Sequence, residues 1–228
     1  MKKFFLIALG SFLTLFLLYF IYLTTQFYIK VKRGEVVDLS SGDFSEINLP
    51  NKNEASQKFD STKIKNDEAP TLGSLSATLQ IVEFADFTCP FSKQAFSVMR
   101  ELLTKYPKQV SFTFRHFPLQ DEAHKGGLEA SEAAFCAGKQ NKFWAYHDKL
   151  FLNQKNFTLE DLKSYAGQIG LDVPSFTKCL ESALAEQKVG MDWFDGYSLG
   201  ISGTPTFFVN GQKVEGAIPL IEWEKLIK

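Results

Sequence analysis

The dipeptide Cys89-Pro90, where a strand pattern runs straight into a helix pattern, constrains this chain more than any other feature. Before it, Thr78-Leu79-Gln80-Ile81-Val82-Glu83-Phe84 alternates and is rich in β-branched and apolar residues, as a buried strand does. Ala85-Asp86-Phe87-Thr88 leads into the cysteine. Pro90 suits a first helical position, where its missing N–H is no loss. Phe91, Ala95, Val98, Met99, Leu102 and Tyr106 then recur at helical spacing until Pro107 stops the pattern.

The rest of the C-terminal part extends this unit. Val110-Ser111-Phe112-Thr113-Phe114-Arg115 is a second alternating strand. A long helical stretch follows, about residues 121–197. Within it Thr158-Leu159-Glu160-Asp161 resembles a capping box and Gly170 is a suitable stop. A further helix starts at Asp172 and Pro174. Thr204-Pro205 precedes the strand Thr206-Phe207-Phe208-Val209, and Asn210-Gly211 predicts a hairpin returning through Gln212-Lys213-Val214-Glu215. Pro219 opens a last amphipathic helix. The order strand, helix, strand, helical block, hairpin, helix predicts an α/β fold with a helical insertion.

The N-terminal part reads differently. After a tail of residues 1–3, residues 4–23 carry no charge, enough at 1.5 Å per residue to cross a ~30 Å hydrocarbon core. A cleaved signal peptide has a shorter apolar region and a small-residue site, and Leu23-Thr24-Thr25-Gln26 is a poor match to one. An uncleaved transmembrane anchor is therefore expected. Lys2 and Lys3 before the span, and Lys30, Lys32 and Arg33 after it, leave its orientation undecided. Residues 24–74 read as a flexible tether, since their polar, charge-interspersed composition buries too little apolar area to offset ordering entropy. The folded domain is expected over residues 75–228. Net charge is −1 with no basic cluster there, which argues against nucleic acid as a partner.

Cys89 carries the chemistry. Exposed N–H groups and the dipole at a helix start favour an anion, so the reactive thiolate is expected to be stabilised there. An inert buried cysteine is the plainer alternative. His116, His124 and His147 show no metal-ligand spacing with the cysteines, so neither metal nor cofactor is expected. All three read as structural or surface residues, with His116 a weak candidate for the active site. Asn156-Phe157-Thr158 matches a glycosylation acceptor, yet Thr158 reads better as a helix cap. Glu83 either faces solvent or lies buried near the cysteine.

Phe87-Thr88-Cys89-Pro90-Phe91-Ser92 resembles the Cys-Pro-aromatic-Cys motif of DsbA-like thioredoxin-fold proteins. Gly203-Thr204-Pro205-Thr206 resembles their cis-proline loop. Arg115-His116-Phe117-Pro118-Leu119 and the stretch from Phe143 to Phe151 also resemble recurring segments of the bacterial branch. The resemblance implies a thioredoxin fold, thiol–disulfide chemistry, a cis Pro205, and Thr204 beside Cys89 holding a peptide substrate. It further implies a bridge between Cys136 and Cys179, against the alternative of two separate core cysteines; such a bridge suits an oxidising, extracytoplasmic compartment.

The departure from the motif is Ser92, where the family has its second cysteine. That thiol resolves the mixed disulfide, which a hydroxyl cannot do. Ser92 is left to donate a hydrogen bond to the Cys89 sulfur. The expectation is a membrane-anchored monothiol exchange protein, isomerase- or reductase-like rather than a net oxidase. Its expected partners are cysteine-containing extracytoplasmic proteins and either a low-molecular-weight thiol or a membrane redox protein. The alternative is a peptide-binding module that uses the cis-proline groove without redox turnover.

Overall fold

The structure, a computed structural model, describes Tyr19, Tyr22, Thr25, residues 61–64, 66, 68–74 and 76–227. The chain divides into two units, Met1–Ile47 and Asn48–Lys228. Of the first, the three described residues are helical and exposed. Most of the expected anchor lies outside the described residues, among which no helix is long and apolar enough to cross a membrane.

The second unit holds a five-stranded sheet in the order β1-β3-β2-β4-β5. Its strands are β1 (Thr71–Gly73), β2 (Leu79–Ala85), β3 (Val110–His116), β4 (Thr206–Val209) and β5 (Gln212–Glu215). β2 pairs parallel with β3, from Leu79 opposite Val110 to Ala85 opposite His116, and antiparallel with β4. A parallel pair needs a crossover, and α1 (Pro90–Lys105) supplies it. Asn210 at φ 50° and Gly211 at φ 89° make the β4–β5 turn, as the Asn-Gly pair predicts. Asn210 also continues the sheet, since its Oδ1 accepts from the Gln80 N–H at 2.9 Å and its Nδ2 donates to the Thr78 carbonyl at 3.2 Å.

The described fold starts earlier than residue 75. A helical turn over Ser61–Ile64 and strand β1 come from residues read as tether. The three-residue β1 has no telling pattern of its own; it is a strand because its backbone pairs antiparallel with β3, Thr71 opposite Thr113. The preceding turn is held by Arg115, a fully buried guanidinium that donates to the carbonyls of Lys63 (2.8 Å) and Ile64 (3.2 Å). The same side chain pairs with Asp192 at 2.6 Å and Asp195 at 2.7 Å. A charge buried this deeply is tolerable only with such partners.

The helical insertion contains α2 (Gly127–Gly138), α3 (Phe143–Leu152), α4 (Leu159–Gln168), α5 (Val173–Leu180) and α6 (Ala183–Ser198). Buried Ala130, Ala133, Ala134 and Ala137 let α2 approach its neighbours closely, around Tyr146, Leu150, Phe151 and Phe176. The Thr158 capping box with Asp161 starts α4, so Thr158 is a cap. α6 covers the sheet face carrying Val82, Phe84 and Phe208. On the other face α7 (Leu220–Lys225) packs Trp223 edge-on against Phe207, with ring centroids 5.1 Å apart. Just past the end of α6, Leu199 and Ile201 are buried in the core and lead into the loop before β4.

Cys136 and Cys179 are joined by a disulfide between α2 and α5, with Cα atoms 5.7 Å apart and a sequence separation of 43. For a loop of that size the chain-entropy model gives about 4 kcal/mol. Replacing both residues by alanine is expected to lower unfolding free energy by about that much, read from urea denaturation of oxidised protein. An unchanged midpoint would show that the helices pack equally well without the link.

Candidate active site

Cys89 is the N-cap of α1, in extended conformation at φ −71° and ψ 125°, with Pro90 as the first helical residue. Its carbonyl accepts from the Lys93 N–H at 3.1 Å, and its own N–H donates to the Asp86 carbonyl at 3.2 Å. Cys89 is 3% exposed as a residue, and its thiol donates to the carbonyl oxygen of Thr204 at 3.2 Å. The Thr204–Pro205 bond is cis. Two segments 115 positions apart thus meet at one sulfur, because β2 and β4 are antiparallel neighbours, so the loop leaving β2 and the loop entering β4 lie at the same end of the sheet.

Two residues that the sequence reading did not single out build the loop. Asp86, fully buried, accepts from the N–H and hydroxyl of Thr88 through Oδ1 (2.7 and 2.6 Å) and from the Leu119 N–H through Oδ2 (2.8 Å). Burial pushes its carboxyl up, while the hydrogen bonds from Thr88 and Leu119 oppose that shift. A Cβ on Gly127 would lie 2.7 Å from Asp86 Oδ1, so the start of α2 accommodates only glycine beside this carboxylate. Gln154, after α3, donates from Nε2 to the carbonyls of Phe87 and Cys89, each at 2.8 Å. Asp86 had a local signal, an Asp-x-Thr turn next to the cysteine. Gln154 had none, because its partners lie 65 and 67 positions away.

Of the motif side chains, Phe91 is exposed and Ser92 fully buried. The Ser92 hydroxyl has no hydrogen-bond partner among the described residues, so the expected bond to the Cys89 sulfur is not formed; the thiol proton is directed to Thr204 instead. Glu83 Oε1 and Thr204 Oγ1 are likewise buried without partners. Glu83 lies in the middle of β2, 1% exposed, and desolvation pushes its carboxyl up to about 8. It faces the interior, not solvent.

The histidines do not join the sulfur. The His116 ring packs on Phe87, Phe114 and Phe143, and burial pushes it down to about 4, so it is neutral at neutral pH. His147 is buried among Phe87, Phe96, Phe114 and Phe151. His124 is paired with Asp121 at 2.7 Å. Among the described residues no three His, Cys, Asp or Glu side chains form a metal-holding group. Cys136 and Cys179, being bridged, leave Cys89 the free thiol.

Residues 65–228 match the family model described as Thioredoxin. Among curated relatives, Na(+)/H(+) antiporter NhaA 1 of Salinispora arenicola is 39% identical over 146 residues, which is 64% of this chain and 22% of the relative. NhaA 1 of Mycolicibacterium vanbaalenii is 31% identical over 155 residues, covering 67% of this chain and 25% of the relative. The chain thus matches about a quarter of the length of these relatives. The solved structure of a thioredoxin-like oxidoreductase from Silicibacter pomeroyi aligns with TM-score 0.66 at 24% identity, over 74% of this chain and 96% of that one. The thiol-disulfide exchange protein alpha-DsbA2 from Wolbachia pipientis aligns with TM-score 0.66 at 20% identity, over 73% and 89%. BdbD from Bacillus subtilis aligns with TM-score 0.63 at 23% identity, over 71% and 91%. At these identities the structural likeness is one of fold.

Proposed function

This chain belongs to the thioredoxin family, and from that premise we propose that it is a membrane-tethered, monothiol thiol–disulfide exchange protein. The observation that carries the reading is the Cys89 sulfur, at a helix start and against the Thr204 carbonyl of the cis-proline loop. In the proposed step, Cys89 as thiolate attacks one sulfur of a client disulfide. A Cys89–client S–S bond forms, and the client's other sulfur leaves as a thiolate and takes up a proton. The backbone at Thr204 and Pro205 lies where a client strand would run beside the sulfur, and exposed Phe91 gives it an apolar contact. With Ser92 in place of a second thiol, the mixed disulfide waits for a thiol from outside. That favours isomerisation and reduction over net oxidation. Glu83 holds its proton at neutral pH in β2, the strand that leads into the cysteine loop, and is proposed to store a proton for the exchange.

The uncharged run at residues 4–23 supports an anchor. The Cys136–Cys179 bridge supports an extracytoplasmic domain, since such bonds persist in oxidising compartments. The expected clients are therefore cysteine-containing extracytoplasmic proteins. Quenching cells in acid, alkylating free thiols and running non-reducing gels should reveal client proteins linked to the full-length chain. Cys89→Ala should abolish every such adduct, and carbonate washing should leave the chain in the membrane. Clients that stay associated with the Cys89→Ala protein would instead establish a peptide-binding module.

A further inference from the structure

On the insertion side of the Cys89 loop lies a cleft of about 650 Å³, with Thr88 and Pro90, the two neighbours of the cysteine, on its rim. Gln154 lines it and, through its amide bonds to the Phe87 and Cys89 carbonyls, fastens the cysteine loop to the cleft wall. Phe157 and Gly126 meet across another wall. Gly126 has φ 91°, and a Cβ there would come within 3.3 Å of the Phe157 Cβ. Lys125 and Lys155 line the cleft from separate loops, and Glu129 is its acid. Neither lysine has an ion-pair partner among the described residues. The cleft therefore presents two ammonium groups unpaired among the described residues, and one carboxylate, next to the two chain neighbours of Cys89.

We infer that this cleft binds the resolving co-substrate, a small peptide-like thiol carrying carboxylates and one ammonium. The inference rests on the monothiol reading of Cys89. Because the sulfur points to Thr204, a client occupies the cis-proline side and leaves the insertion side to a second, small molecule. Lys125 and Lys155 take its carboxylates and Glu129 its ammonium. The bound thiolate attacks the Cys89 sulfur, the Cys89–client bond breaks, and the client sulfur leaves as a thiolate that takes up a proton. A second molecule of the same thiol then attacks the small-molecule sulfur and releases Cys89. Two thiols are oxidised to one disulfide, and the mixed disulfide is reduced to two thiols.

The test reacts Cys89 of the full-length chain in detergent with 5,5'-dithiobis(2-nitrobenzoate), which leaves one 5-thio-2-nitrobenzoate disulfide-bonded to Cys89. Excess reagent is removed, and release of the bound 5-thio-2-nitrobenzoate is followed by absorbance. Release by glutathione should saturate with concentration, whereas release by 2-mercaptoethanol should stay linear. Each exposed charge contact contributes about a twofold to threefold factor. Lys125→Gln with Lys155→Gln should therefore lower the ratio of the glutathione rate to the 2-mercaptoethanol rate by about fivefold to tenfold. Added salt should lower the wild-type ratio as well, since the contacts are solvent-exposed. A linear glutathione dependence and an unchanged ratio would overturn the cleft assignment while leaving Cys89 exchange intact. A Cys89 that fails to load would overturn the monothiol reading, and the cleft assignment with it.

Discussion

Ser92→Cys should convert a chain that stalls as a mixed disulfide into one that turns over. The hydroxyl of Ser92 is fully buried and makes no hydrogen bond, so a thiol in its place forfeits none. Position 92 lies one helical turn from Cys89, at the spacing from which a second thiol attacks a mixed disulfide in the resembling family. An intramolecular thiol competes at an effective concentration far above a millimolar external one. Release of a bound disulfide without added thiol should rise by about a hundredfold or more. The measurement is reaction of the fully reduced protein with a disulfide peptide and no other thiol present. The natural chain should accumulate the peptide as an adduct on Cys89, and the variant should release reduced peptide and keep a disulfide between positions 89 and 92. Release of reduced peptide by the natural chain under these conditions would show that Ser92 does not limit the exchange.

Glu83 should make the folded state progressively less stable as pH rises. Its carboxyl is ordinary in the unfolded chain, near 4.5, and pushed up to about 8 in the folded one. Below 4.5 both states are protonated and the group has no effect. Between 4.5 and about 8 the unfolded state ionises while the folded state keeps its proton, so stability falls with pH; above 8 the loss is complete. At about 1.36 kcal/mol per pH unit the full effect is on the order of 5 kcal/mol. Glu83→Gln should remove most of this slope. The variant should gain on the natural protein by several kcal/mol between pH 5 and 8, less about 1–3 kcal/mol for a buried amide that finds no partner. Urea midpoints measured across that range decide the matter; parallel curves for the two proteins would mean that Glu83 ionises normally. If the carboxyl also serves the exchange, Glu83→Gln should flatten the pH dependence of adduct formation between pH 6 and 8.

The strands β2, β3 and β4, helix α1 and the hairpin turn were legible in the sequence because their cause is local. Alternation, helical spacing, Pro90 at the helix start and Asn210-Gly211 at positive φ are properties of a few consecutive residues. The candidate nucleophile was legible for the same reason, since a strand–Cys–Pro–helix junction is itself a local arrangement. What lies around the nucleophile depended on contacts between distant segments. Strand β1 takes its identity from pairing with β3, and the turn before it from the buried Arg115, so both looked like tether. Gln154 reaches the cysteine loop, and the lysines line a cleft beside it, only because the insertion packs against that loop in the folded chain. The sequence alone settled the central strands β2, β3 and β4, the β4–β5 hairpin and helix α1, and which cysteine stands at the helix start. Tertiary packing alone decided that Ser92 points into the core unpaired, that Glu83 keeps its proton, and that Cys89 hydrogen-bonds to Thr204, because burial and long-range contact are properties of the assembled chain.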